Sequence, residues 1–234
     1  MTPRTPAPRS RRERPAKPAL TYEGIVETAV RLMEAEGLQR VTMRRLAQEL
    51  DTGPASLYVY VANTAEPHAA ILDELLGSVD LSPTAGEGDG DGDWRDRLTQ
   101  VLISYTRVLL ENSALAHSAL VARPSGSNNL ALVEAILTLL HEGRVPGPQA
   151  AWGVDVLLQT ATATAAEHST RAHAVDSADE HNALVTAVRG ASPGTHPRIA
   201  ALADDLVSGT PEQRLTWIFH SVINGTLTTE RPAP

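Results

Sequence analysis

The sequence predicts an all-α protein built in two unequal helical parts. Apolar residues recur at helical spacing in segment after segment, and no run alternates apolar and polar residues as a half-buried strand would. A Gly- and Asp-rich stretch at 80–93 separates a short N-terminal part from a longer one. A chain of 234 residues, 42% of them hydrophobic, is long enough to bury a core in each.

Residues 1–18 hold Arg4, Arg9, Arg11, Arg12, Arg14 and Lys17 among five prolines, with Glu13 the single acid, and read as a disordered basic arm. Thr21 then precedes Tyr22, Ile25, Val26, Ala29, Leu32 and Met33, the stripe of an amphipathic helix that Gly37 ends as its C-cap. Thr42 is the N-cap of a short second helix with Met43, Leu46, Ala47 and Leu50 inward, stopping at Asp51-Thr52-Gly53. A third helix opens on Pro54, whose missing N–H costs nothing at a first helical position, and is expected to run through Leu57 to about Val61. Asn63-Thr64 caps a fourth helix bearing Ala69, Ile71, Leu72, Leu75 and Leu76. These elements make a domain of residues 19–79, followed by an acidic, flexible linker at 80–93. Helical periodicity returns in 94–110, 113–121, 127–141, 148–168, 178–190 and 211–227, which outlines a second all-helical domain, 94–228, with a tail at 229–234.

Charge divides the chain in the same place. Residues 1–62 carry 10 basic and 7 acidic side chains, whereas the remainder carries 10 and 21. A basic end suits a polyanion, and an acidic body should point away from phosphates. No apolar run is long enough to span a membrane and none follows the N-terminal arginines as a signal peptide would, so a cytoplasmic location with no membrane partner is expected. The absence of cysteine excludes disulfides and thiol chemistry.

Two short helices joined by a tight turn, preceded by a third helix on a basic arm, form the arrangement that places one helix in the major groove of DNA. The segment Thr42-Met-Arg-Arg-Leu-Ala-Gln-Glu-Leu-Asp-Thr-Gly-Pro-Ala-Ser-Leu-Tyr-Val-Tyr-Val61 closely resembles the helix-turn-helix of the TetR family of repressors. The flanking Ala-Val-Arg-Leu-Met-Glu-Ala-Glu-Gly-Leu and Ile71-Leu-Asp-Glu-Leu-Leu resemble it too, so the similarity covers about residues 20–79. It implies an N-terminal three-helix DNA-binding domain and a homodimer whose third helices occupy successive major grooves of a palindromic operator. The DNA-facing set is then Thr42, Arg44, Arg45, Pro54, Ala55, Ser56, Tyr58, Val59, Tyr60 and Thr64. Small Pro54, Ala55 and Ser56 let the backbone approach the bases, Val59 suits a thymine methyl, and Arg44 is the residue best fitted to guanine. Tyr58 is assigned to a phosphate by resemblance, and Tyr60 is divided between core and DNA. Three positions depart from the family pattern: Asp51 stands where Gly is common, Gly53 where Ser caps the helix, and Thr64 where a Lys holds a phosphate.

Asp93-Trp94-Arg95-Asp96-Arg97-Leu98, opening a helix, and the later Ala131-Leu-Val-Glu-Ala-Ile resemble the family's tetracycline-repressor-like domain. This implies a larger helical ligand-binding and dimerisation domain, with helices near 148–168 and 211–227 pairing with their symmetry mates. The first is rich in small residues (Gly153, Ala161, Thr162), and the second offers Leu215, Trp217, Ile218 and Phe219. Tyr105, His117, Trp152 and Gln159 project from largely apolar helices and are candidate contacts to a small-molecule effector.

Other chemistries find little support. Asp89, Asp91 and Asp93 match no register of a calcium loop, and His168, His173 and His181 lack the spacing of metal ligands, so no metal, cofactor or catalytic residue is expected. The reading that results is a ligand-released repressor rather than an enzyme. The alternative is a helical interaction or scaffold protein with lost or weak DNA binding, which Thr64 and the apolar Pro-Ala-Ser-Leu helix make conceivable.

Overall fold

A computed structural model of the chain describes residues 19–63, 65–85, 93–120, 122, 124–173 and 177–232. The basic arm at 1–18, Thr64, linker residues 86–92 and residues 233–234 lie outside the described residues. Those described form twelve α-helices and no strand: α1 Tyr22–Glu36, α2 Met43–Glu49, α3 Pro54–Leu57, α4 Ala65–Leu76, α5 Trp94–Glu111, α6 Ser113–Ala119, α7 Ser127–Glu142, α8 Gly147–His173, α9 Ser177–Arg189, α10 Pro197–Ala201, α11 Ala203–Leu206 and α12 Pro211–Thr228. The all-α class expected from periodicity is the class observed.

The N-terminal caps form as their chemistry dictates. The Thr21 hydroxyl accepts from Gly24 N at 3.1 Å and the Thr42 hydroxyl from Arg45 N at 3.2 Å, each satisfying an amide that the helix itself cannot. Gly37 ends α1 at φ +85°, and Asp51 enters the left-handed region at φ +49°, so the turn keeps its shape without the usual glycine. Regular helix in α3 ends earlier than expected: Tyr58 to Tyr60 form a turn, in which Tyr60 N and Val61 N both donate to Leu57 O. Val61 still packs into the core, so the shortening leaves the apolar register intact.

Two apolar cores are present. The first gathers Ile25, Ala29 and Leu32 from α1, Val41 just before α2, Leu46 from α2, Leu57 from α3 and Ile71 from α4. The second joins α5, α7, α8 and α12 around Leu102, Ile136, Leu139, Leu157 and Phe219. Helix α4 divides its side chains between them: Ile71 enters the first, while Leu72 and Leu76 enter the second. Helix α6 returns the contact, since its Leu115 is buried in the first core although α6 packs chiefly on α8.

Part of the expected linker is structured. Val79 and Leu81 pack on the second core, Asp80 N donates to Ser104 Oγ at 2.8 Å, and Ser82–Ala85 makes a 3-10 turn. Buried Arg97 fixes this turn by donating to Pro83 O at 3.3 Å while pairing with Glu142. Composition points to a linker because Gly and Asp dominate from 86 onward, but Leu81, continuing the contact made by Val79, anchors its first part. The tail is tied down as well, by Gln149 Nε2 donating to Thr229 O and by Arg231 stacking 4.7 Å from the Trp152 ring centroid. Helices α10 and α11 were not foreseen; each is shorter than two turns, too short to show a period.

Leu115 is the contribution of the C-terminal part to the N-terminal core. Leu115→Ala should cost about 2–5 kcal/mol, the range for emptying a fully buried leucine site, read as a lowered midpoint in thermal or urea unfolding.

Candidate nucleic-acid interface and ligand cavity

The helix-turn-helix presents one exposed face. Pro54, Ala55 and Ser56 are exposed at the start of α3, and Val59 is 79% exposed, Tyr58 56% and Tyr60 40%, around a Leu57 that is fully buried. Large apolar and aromatic groups in water are costly on a free surface, and their grouping beside small residues makes a shape that can enter a groove. Tyr60 thus points outward rather than into the core, because the turn after Leu57 rotates it away from Val61.

Arg44 and Arg45 are neighbours with different surroundings. Arg44 is exposed and makes no ion pair with a described residue. Arg45 is held by Glu36 across to α1, and its Nη1 donates to Glu49 Oε2 at 2.9 Å. The hydrogen bonds from Arg45 hold the Glu36 carboxyl below its ordinary value. Arg45 therefore sets the angle of α2 on α1 and offers little charge to a phosphate, an effect that sequence spacing alone could not reveal. Thr42 retains a donor, since its hydroxyl only accepts from Arg45 N.

Away from this face, α1, α4 and the start of α7 border an open groove of about 1100 Å³ lined by Glu23, Glu27, Glu34, Glu66, Asp73 and Glu74. Its acidity orients the domain, because such a surface repels a phosphate backbone.

A second cavity, of about 500 Å³, lies among α4, α5, α7 and α8. Leu72, Leu76, Leu132, Val133, Val154 and Leu158 form apolar wall, and Tyr105, Asn129, Asp155, Gln159 and Thr162 bring polar groups to it. Thr162 spends its proton on Leu158 O at 2.7 Å, so the 2.7 Å contact between Tyr105 Oη and Thr162 Oγ1 is a donation from the tyrosine. Burial pushes the Tyr105 phenol above its ordinary value and keeps it neutral. Its oxygen remains able to accept. Gln159 Nε2 donates to Asp155 Oδ2 at 2.9 Å, which orders both groups at the edge of the cavity.

Of four candidate ligand contacts, the structure brings Tyr105 and Gln159 to this cavity and leaves the other two outside it. His117 faces α8, where Thr170 uses its own proton on Ala166 O, so the imidazole Nε2–H donates to Thr170 Oγ1 at 2.9 Å. Trp152 is 53% exposed on the outer face of α8 under Arg231. Both project from apolar stretches as expected, but their angular positions on the helices aim them away from the cavity. Leu72, Leu76 and Asn129 are lining residues that sequence reasoning missed. The first two were counted as ordinary core, and no local signal shows that α4 also walls a cavity. Among the described residues no group of three or more His, Asp or Glu side chains is placed to hold a metal ion, and no helix is long and apolar enough to cross a membrane.

Comparison with known proteins agrees with this division. Residues 25–66 match the family described as bacterial regulatory proteins, tetR family, and residues 87–214 match the tetracyclin repressor-like C-terminal domain. The chain is 36% identical over 141 residues to the HTH-type transcriptional repressor DrrR1 of Streptomyces coeruleorubidus, covering 59% of this chain and 50% of the relative. It spans about half the length of the curated relatives it matches. Among solved structures, the transcription regulator SCO7704 from Streptomyces coelicor is 56% identical with a TM-score of 0.75, covering 93% of this chain and all of that one. ActR of Streptomyces coelicolor in complex with actinorhodin is 31% identical with a TM-score of 0.74, covering 90% and 96%. With an exposed helix-turn-helix face and a cavity-bearing helical domain that both match, the chain belongs to the TetR family of transcriptional regulators.

Proposed function

We propose that the protein is a homodimeric repressor that binds a palindromic operator through α3 and leaves it when a small molecule fills the α4–α8 cavity. The observation that carries this reading is the sharing of α4: Ile71 packs under the helix-turn-helix while Leu72 and Leu76 line the cavity. A ligand that favours one position of α4 changes the other end of the same rigid rod, so ligand and DNA affect each other's affinity by linkage. That DrrR1 is a repressor, and that ActR has been solved with actinorhodin bound, supports both halves of the proposal. The same reading keeps 19–79 as the DNA-binding domain and 94–228 as the regulatory and dimerisation domain, in a cytoplasmic protein. In the DNA-facing set, Arg44, Pro54, Ala55, Ser56 and Val59 read bases, Thr42, Tyr58 and Tyr60 meet phosphates, and Thr64 is retained from the family position.

Dimerisation is assigned to the outer faces of α8 and α12. Gly153, Ala161 and Thr162 turn inward, Gly153 lying so close to Thr226 of α12 that a Cβ would overlap its methyl, so the small residues of α8 serve packing within the chain. What remains outward is Trp152, Val156 and a Trp217 that is 70% exposed, apolar groups that a second copy would cover.

Three measurements test the proposal. A duplex selected by the protein from a random pool should carry two half-sites with centres about 34–36 Å apart, and Arg44→Ala should lower discrimination at one base of each by about 1–3 kcal/mol in fluorescence anisotropy. Val133→Trp should fill the cavity and, standing in for a ligand, weaken operator binding. A compound that stabilises the wild-type protein by about 2.7 kcal/mol at a hundred times its Kd should then give no thermal shift in the variant. Trp217→Arg should convert a dimer to a monomer in sedimentation velocity; a wild-type monomer would refute the assembly.

A further inference from the structure

Helix α7 begins without a cap of its own. Its N-cap residue is Gly126, which has no side chain to satisfy the amides of the first turn. Those amides find their acceptor in the helix that the two cores share: Asp73 of α4 takes Asn129 N on Oδ1 at 2.9 Å and Asn128 N on Oδ2 at 3.4 Å. Across 16 residues of α7 this is a full helix dipole, and a carboxylate at its positive end is favourable. Gly126 is required for the arrangement, since a Cβ there would overlap the Asp73 carboxylate.

The neighbours of this cap make it more than a stabilising contact. On α4, Leu72 and Leu76 flank Asp73 and line the cavity, and on α7, Asn129, whose amide is capped, lines the cavity as well. The cap therefore joins the two helices at the point where both border the ligand space. Resting on the proposed repressor reading, we infer that Asp73 is the coupling residue of the protein: its cap on α7 transmits the position of α4 to the cavity wall, and the reverse. A ligand that wedges α4 from α7 opens the cap, and a DNA-held α4 keeps it closed. Asp73 is a positioning residue, touching neither DNA nor ligand. The rival route runs through Leu72 and Leu76 alone, by simple packing.

The first-turn amides of α7 have no partner within their helix, so their hydrogen exchange reports the cap directly. The test uses the full-length protein and a duplex selected by it, and needs no identified effector. In the wild type, operator binding should slow exchange at Asn128 and Asn129 by about fivefold or more, the lower range of allosteric coupling, and slow it also along the cavity wall at 132–133 and 158–163. In Asp73→Ala the cavity-wall response should vanish, and by reciprocity operator affinity should fall by about the same fivefold. Gly126→Ala, which keeps the carboxylate but displaces it, should behave the same way, and a cooperative melt of each variant shows that it folds. Cavity-wall protection persisting in both variants would overturn the inference in favour of the packing route. An operator-bound wild type with unchanged exchange at Asn128 and Asn129 would overturn it outright. Failure to select any duplex would instead bring down the DNA-binding reading on which it rests.

Discussion

One helix has to satisfy two apolar cores at once, and the organisation of the protein follows from that. In α4, consecutive residues Ile71 and Leu72 point about 100° apart, so one enters the core beneath the helix-turn-helix and the other the core of the regulatory part. A helix bound on two sides cannot shift relative to one partner without disturbing the other. Leu115 of α6, buried in the N-terminal core, closes the junction from the opposite direction.

Around this junction the chemistry is sorted by location. The exposed end of the N-terminal part holds small residues, Val59 and two tyrosines, with Arg44 beside them, whereas its opposite side is a groove of carboxylates. That sorting leaves the end with α3 as the face of this part that does not repel a phosphate backbone. The cavity is mostly apolar, as suits a site that excludes water, with Tyr105 and Thr162 already hydrogen-bonded to each other. Tyr105, Thr162, Gln159 and Asp155 are therefore ordered in advance, which under the proposed function lowers the entropic cost of recognition.

Charged side chains divide between structural and recognition roles according to their partners. Arg45 and Arg97 are both committed within the chain, the first to Glu36 and Glu49, the second to Glu142 and the turn at Pro83. Arg44, one residue from Arg45 and 100° round the helix, faces outward. A count of basic residues treats these side chains as equal, although their surroundings differ entirely.

What the sequence determined by itself is what depends on near neighbours along the chain. Helical periods of α1, α4, α5, α7, α8 and α12, the caps at Thr21 and Thr42, the left-handed turn at Asp51 and the exposed character of α3 are all local properties, set by spacing and by side chains within a few residues. The motif from Thr42 to Val61 carried the family for the same reason. Which face of each helix meets which neighbour depends on packing between segments far apart in the chain. That packing placed Tyr105 and Gln159 at the cavity but turned His117 to Thr170 and Trp152 to the outside, drew the small residues of α8 inward, and anchored 80–85 where composition suggested a flexible linker. It also set Asp73 against the start of α7, 55 residues away, a pairing that follows from the packing angle of two helices and leaves no mark on either segment alone.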